Sequence, residues 1–384
     1  MAMERLFQLM KEKNASDMFF AVNAPVHIKI NGNLIPINQQ KLENENIVAL
    51  LKEVTSPEEM AELERENELN VGISVPNLGR FRLSAFRQRG SVSAVFRFVP
   101  ASIPALSELG LPPVLAELIM EKRGLLLLVG ATGSGKSTTI AAMLDHRNEL
   151  RAGHILTLED PIEYLFKHKK SIVNQREIGA DASSFQTALR NSMRQAPDCI
   201  LIGEIRDKET MAAALAYAQS GHLVLATLHA NNSYNALNRI ISFYPIENRP
   251  ALLQDLSSAV KAIVSQRLVR SAKGGVRQAA VEVMVNTRYI AELIEKGEIG
   301  EIKDAIDKSL SPGSQSFETA LLALVKAGLV TQEEALANAD SATNLLWLLN
   351  SGPDSQLAQK EESPLQQKPA DDASTSFTEF TLDT

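Results

Sequence analysis

The chain has a single cysteine, Cys199, among 384 residues. That excludes an internal disulfide framework and any multi-cysteine zinc site, and it fits a reducing compartment. Aromatic residues are scarce at 5%, too few for base-stacking platforms. Excess positive charge is also missing: 39 Lys and Arg stand against 46 Asp and Glu, a net charge of −7 with a pI near 5.6. An acidic chain lacks the cationic footprint that nucleic acid or anionic lipid requires, so no nucleic-acid partner is expected. No long apolar run occurs. The longest, around Gly124–Val129, falls far short of the roughly 20 residues that span a bilayer. The N-terminus reads as an amphipathic helix with Leu6, Leu9 and Met10 at helical spacing, without the apolar core and cleavage site of a signal peptide. A cytoplasmic protein is the expectation. No internal repeat stands out.

What is present is an ordinary globular composition, 45% apolar and 22% charged, long enough for two or three domains at about 150 residues each. Residues 1–98 read as a small α+β domain. VHIKI and LIPI flank a hairpin turn at Asn31-Gly32-Asn33. A charged helix follows around Pro57–Asn67, then a meander of LNVGISV, GRFRLSAFR and SVSAVFRFV with turns at Pro76-Asn77 and Arg89-Gly90. Residues 99–111 belong to a proline-rich linker. Residues 112–350 alternate short apolar runs (LLLLV, HILTL, CILIG, HLVLATL, AAVEVMV) with helical patterns, the signature of an α/β fold with a mostly parallel sheet. The spacing of Leu252, Leu256, Val260, Ile263, Val264 and Leu268 predicts one helix, with more helices to Leu349. Residues 351–384 carry two lysines against seven acids and are rich in Ser, Pro and Gln, a composition expected to be disordered.

The most informative stretch is LLLLVGATGSGKSTTIAAML. Gly130-Ala131-Thr132-Gly133-Ser134-Gly135-Lys136-Ser137, followed by Thr138, matches GxxxxGK[ST] between an apolar strand and a helix pattern. Glycines let the backbone wrap a phosphate, and the exposed N–H groups and helix N-terminus bind the anion. Lys136 would neutralise the β/γ-phosphates, and the Ser137 hydroxyl is placed to ligate Mg²⁺. The implied ligand is ATP with Mg²⁺.

A nucleotide hydrolase also needs carboxylates for water and metal. Glu159, Asp160 and Glu163 follow HILTL, and Glu204 follows CILI, where a P-loop enzyme usually carries an aspartate. The carboxyl ends of parallel strands face the ligand. His222 and His229 bracket HLVLATL, roughly 20 Å apart along an extended strand, so they cannot share a metal within one subunit. His229 is placed to sense the γ-phosphate. Arg80, Arg82, Arg87, Arg89 and Arg97 crowd the meander, and Arg190 and Arg194 stand at i and i+4, expected on one helix face. Spacing alone leaves a solvated basic face and a phosphate-directed role both open.

GATGSGKST, ILTLEDPIEY, CILIGEIRD and GHLVLATLH, in this order, resemble the P-loop, acidic, second-strand and histidine boxes of the type II/IV secretion ATPases. ASDMFF, VNQREIG and QAPD add to the likeness. Over roughly residues 1–350 the chain looks like the PilT/PilU group of type IV pilus retraction motors, most like its PilU members. The resemblance implies a homo-hexameric ring of subunits, each with an N-terminal PAS-like domain and a RecA-like ATPase domain, ATP binding between them. Carried over by position, Glu204 is the catalytic glutamate and Glu159 and Glu163 belong to the acidic box. His222 and His229 belong to the histidine box, Arg82 and Arg97 are phosphate-approaching arginines, and Arg190 and Arg194 are a second pair. The resemblance further implies peripheral association with the inner membrane through a pilus platform protein. One departure stands out. Where PilT-type motors carry AIRNLI, this chain has Tyr289-Ile290-Ala291-Glu292-Leu293-Ile294, without the arginine and asparagine. That points to action together with a PilT-type motor. The alternatives are an accessory nucleotide-binding regulator of another motor, or a pilus extension or type II secretion ATPase. The last two typically carry an extra N-terminal domain and a four-cysteine metal site.

Overall fold

A computed structural model describes residues 2–350 except 31, 32, 77, 100, 101 and 310. The expected tail at 351–384, the tip of the first hairpin and Asn77 of the Pro76-Asn77 turn lie outside the described residues. So does the start of the linker at 100 and 101.

The N-terminal part is built on a six-stranded sheet of β1 (Asp17–Phe20), β2 (His27–Ile30), β3 (Asn33–Pro36), β4 (Glu68–Val75), β5 (Gly79–Gln88) and β6 (Ser91–Val99). Its order is β3-β2-β1-β6-β5-β4, antiparallel throughout. The expected meander is β4–β6. Arg89 and Gly90 turn it through positive φ values of 50° and 79°, the backbone that a tight hairpin demands. One face of the sheet is covered by α1 (Ala2–Glu12), α2 (Asn44–Lys52) and α3 (Pro57–Glu66). Helix α1 forms as expected, but its buried face is Met3, Phe7 and Met10. Leu6 and Leu9 sit toward its rim. Phe7 stacks on Phe81 with ring centroids 4.0 Å apart, so the aromatic pair sets which face turns inward. Alternation along β5 buries Phe81, Leu83 and Ala85 and turns Arg80 and Arg82 to the opposite face.

A short α4 (Val114–Leu118) leads into the second sheet. It comprises β7 (Gly124–Val129), β8 (Gly153–Glu159), β9 (Ser171–Glu177), β10 (Cys199–Ile202), β11 (Leu223–Leu228), β12 (Val260–Val269) and β13 (Gln278–Val285), in the order β13-β12-β7-β11-β10-β8-β9. All neighbours are parallel except β13, which returns antiparallel to β12. The mostly parallel α/β sheet is therefore as expected. Strands β7 and β10 are buried along their whole length, which is why they read as unbroken apolar runs. Two faces of helices cover the sheet: α5 (Lys136–Leu150) with α4 on one, and α6 (Phe185–Ser192), α7 (Lys208–Gln219), α8 (Ser233–Ser242), α9 (Arg249–Ala259), α10 (Arg288–Lys296) and α11 (Ile302–Asp307) on the other. A last group, α12 (Phe317–Lys326), α13 (Gln332–Asn338) and α14 (Ala342–Asn350), packs a small core with Val269 and Ala280.

The helix expected across Leu252–Leu268 is corrected: α9 ends at Ala259 and Val260–Val269 is strand β12. Val260, Ile263 and Val264 are β-branched and buried between β7 and β13, where strand pairing outweighs a helical spacing. Arg190 and Arg194 do not share one helix either. Helix α6 stops at Ser192, and Arg194 lies in a 3-10 turn over 193–195. None of the helices among the described residues is long and apolar enough to cross a membrane.

Cys199 opens β10 fully buried, and burial pushes its thiol up to about 12. Ellman's reagent at pH 8 is therefore expected to find no reactive thiol in the native chain and one after denaturation. Rapid labelling of the native protein would contradict this packing.

Candidate active site

The loop between β7 and α5 is built as its glycines require. Gly130 and Gly135 sit at φ of 153° and 91°, backbone that side chains disfavour. A Cβ on Gly130 would lie 2.6 Å from the Gln266 carbonyl oxygen, and one on Gly135 would lie 2.7 Å from Gln266 Nε2. Gln266, buried on β12, also accepts a hydrogen bond from the Thr139 hydroxyl at 2.8 Å. It therefore braces both the loop and the first turn of α5. Lys136 is buried and donates to the carbonyls of Gly130 and Ala131 at 2.8 and 2.9 Å. Burial lowers its pKa, opposed by the charge of Glu204. A desolvated ammonium on the loop that opens α5 fits a bound polyphosphate.

This loop forms one wall of a cavity of about 560 Å³. Thr132, Gly133, Lys136 and Ser137 line it, with Glu159 at the end of β8, Asp160 and Glu163 from the segment that follows, Glu204 and Arg206 after β10, His229 after β11, and Arg82 from the N-terminal sheet. Strand ends place the acids: β8, β10 and β11 are parallel and in register, so Glu159, Glu204 and His229 emerge at one edge. Ser137 and these carboxylates are hard oxygen donors that suit Mg²⁺. Among the described residues no group of three or more His, Cys, Asp or Glu forms a self-sufficient metal cage, so nucleotide oxygens would have to complete the ion's shell.

The carboxylates of the cavity differ in freedom. Glu159 is buried, and burial raises its pKa despite hydrogen bonds from the Thr157 hydroxyl at 2.6 Å and Gln175 Nε2 at 3.2 Å. Glu204 is more open. Its Oε2 accepts Arg206 Nε at 2.7 Å, and its Oε1 lies 3.4 Å from His229 Nε2. Glu163 lines the same cavity, and beside it the Tyr164 hydroxyl shares a hydrogen bond with Thr138 at 2.8 Å. Asp207 caps α7 by accepting the Thr210 N–H at 2.8 Å.

Not every expected residue reaches the cavity within one chain. His222 precedes β11 at the far end of the strand, where its Nδ1 lies against Ser220 and Tyr217. Arg97 is the register partner of Arg82 on the same face, but it donates to Asp17 Oδ1 at 2.8 Å instead of lining the cavity. Arg190 and Arg194 are exposed and do not line the cavity, although Phe185 and Gln186 at the start of α6 do. Sequence reading overlooked Arg206 and Gln266. Arg206 stood inside the GEIRD box two residues from Glu204, and Gln266 was hidden in the segment misread as helix.

Residues 2–312 match the family described as type II/IV secretion system protein. The type IV pilus ATPase PilU of Pseudomonas aeruginosa is 46% identical over 355 residues, covering 92% of this chain and 93% of that one. The type IV pilus retraction ATPase PilT of the same organism is 37% identical, covering 90% of this chain and all of the other. Among solved structures, the pilus retraction motor PilT with bound ADP superposes with a TM-score of 0.82 at 38% identity, covering 88% of this chain and 96% of that one.

Proposed function

The chain belongs to the type II/IV secretion system protein family, within its PilT/PilU group, and from that membership we propose that it is an ATP-hydrolysing motor for type IV pilus retraction and twitching motility. The observation that carries the reading is one cavity holding Lys136, Glu204, His229 and Arg82 together. The fold is a RecA-like P-loop domain with a smaller N-terminal PAS-like α+β domain, with boundaries proposed near residues 98 and 112. Lys136 and the loop N–H groups hold the phosphates of ATP, Ser137 offers its hydroxyl to Mg²⁺, and Glu204 orients or deprotonates the attacking water. His229 stands beside Glu204 as the γ-phosphate sensor. Mg²⁺, when bound, supplies charge neutralisation at the phosphates.

The same proposal covers assembly and partners. The protein works as a homo-hexamer in the cytoplasm, held at the inner membrane through the pilus platform protein. The exposed Arg190 and Arg194, with Arg97 and His222, are then available to a neighbouring subunit rather than to their own cavity. A PilT-type motor is the proposed companion. On α10, Ile290, Leu293 and Ile294 are buried while Tyr289 and Glu292 face solvent, Glu292 pairing with Arg288 at 3.3 Å. The altered stretch thus presents an acid at the surface where retraction motors carry a neutral side chain, while the cavity is untouched.

The test is retraction in cells where this chain is the sole motor, alongside light scattering of the purified protein in ATP. Hexamers, ATP turnover in isolation, binding to a PilT-type hexamer and little retraction alone are expected. Full retraction alone would remove the companion motor from the proposal. Monomers in ATP at all concentrations would remove the ring.

A further inference from the structure

Arg80 and Glu177 are 97 residues apart in sequence. They meet as a buried ion pair between the two sheets, with side chains 15% and 7% exposed. Arg80 Nη2 donates to Glu177 Oε2, and the same oxygen accepts the backbone N–H of Ile162 at 3.0 Å. Ile162 belongs to the acidic segment between Asp160 and Glu163, and Glu177 lies in register beside Glu159 on the neighbouring strand. One carboxylate oxygen thus ties the N-terminal sheet to the acidic wall of the cavity.

The other side of the guanidinium is shaped for it. A Cβ on Gly72 would lie 2.2 Å from Arg80 Nη2 and 2.8 Å from its Cζ, so any larger residue at 72 would push the guanidinium out of its place against Glu177. Gly72 is also the register partner of Arg82. Arg80 and Arg82 are two residues apart on one strand and emerge on the same face. Arg82 lines the cavity, so the sheet is pinned one side-chain step from the arginine that enters the site. The Arg97–Asp17 pair on that face differs, since Arg97 is 61% exposed. Solvent screens that contact far more than the buried one.

We infer that the Arg80–Glu177 pair, seated on Gly72, is a positioning element that holds Arg82 in the nucleotide cavity, serving hydrolysis without touching the nucleotide. This rests on the proposed role of Arg82 at the phosphates. A cationic side chain aimed at developing phosphoryl charge loses its effect when displaced by about an ångström. The buried pair supplies that registration by joining β5 to β9, whose Glu177 in turn holds the acidic segment through the Ile162 N–H.

Steady-state ATP turnover by the full-length chain tests it, with melting temperature confirming the fold of each variant. Arg82→Gln is expected to lower kcat by about 10-fold or more. Arg80→Gln should also lower kcat, and the double variant should be no slower than Arg82→Gln within about two-fold, because both changes remove one effect. Gly72→Ala should reproduce Arg80→Gln with both arginines present. Glu177→Gln, which keeps an acceptor for the Ile162 N–H, should do the same, and Arg80→Lys should restore part of the rate. Losses that multiply in the double variant overturn the inference while leaving the role of Arg82 standing. So does a silent Arg80→Gln beside an impaired Arg82→Gln. A silent Arg82→Gln overturns both.

Discussion

Replacing Glu204 by glutamine is expected to leave ATP binding intact and to slow hydrolysis by roughly 10² or more. The side chain is more open than that of Glu159, with 20% of it exposed. It leaves the end of the buried strand β10, reaches His229 with one oxygen and is held by Arg206 through the other. Glutamine keeps the shape and an acceptor oxygen but loses the charge that would polarise or deprotonate water. In the proposed reading nucleotide binding rests elsewhere, on Lys136 and the loop amides. Lys136→Ala should therefore abolish productive binding, and the two variants should separate in a fluorescent-nucleotide titration followed by single-turnover hydrolysis. Near-normal turnover in Glu204→Gln would transfer the role to Glu159 or Glu163. Glu159 is the poorer substitute. Its burial favours the neutral acid, and Thr157 and Gln175 already occupy its oxygen.

The residues that made this site legible in sequence lie within contiguous boxes. The P-loop needs eight consecutive residues, and Glu159, Glu204 and His229 each end an apolar strand, so parallel topology alone carries them to one edge. What escaped depends on contacts distant in sequence. Nothing local marks Arg80 apart from the four arginines around it, because its partner stands on β9. Strand β9 itself, SIVNQRE, is an edge strand with polar residues among its alternating buried ones, and it gives no apolar run. Strand β1 has only four residues, too short to show an alternation of its own. At Ala259 and Val260 no glycine or proline separates α9 from β12, so the apolar spacing runs on across the junction. The β-branched Val260, Ile263 and Val264 are the sign of a strand. His222 and His229 behaved as strand geometry demanded. Seven residues apart, they occupy opposite ends, and only His229 meets the cavity.

Removing the carboxylate of Glu282 is expected to destabilise the chain by about 3 kcal/mol, a fall of roughly 10 °C in melting temperature. Glu282 lies on β13, buried, and its Oε1 accepts the Ser233 N–H at 2.8 Å, the Ser233 hydroxyl and the Ser265 hydroxyl at 2.9 Å. Glu282→Ala leaves these donors without that acceptor inside the fold and opens a cavity as well. The effect should extend to the active site. Ser233 begins α8 directly after the segment that carries His229. Asn232 caps that helix through the Asn235 N–H at 3.1 Å and donates to Asp340 at 2.7 Å. Arg267 grips Asp340 from β12 and stacks 3.9 Å above the Phe317 ring, closing the link to the C-terminal helices. Glu282→Gln is the control, because its amide oxygen can accept the same donors. Burial raises the pKa of Glu282, so the folded state binds its proton more tightly than the unfolded chain. The stability this group confers is therefore full below the unfolded carboxyl value of about 4.3 and declines as pH rises through the raised value. Glu282→Gln should lose that slope and retain most of the stability near neutral pH, while Glu282→Ala should lose both stability and turnover. Thermal melts across acidic to neutral pH distinguish the cases. An alanine variant as stable as the parent would show that the three donors find partners without this carboxylate.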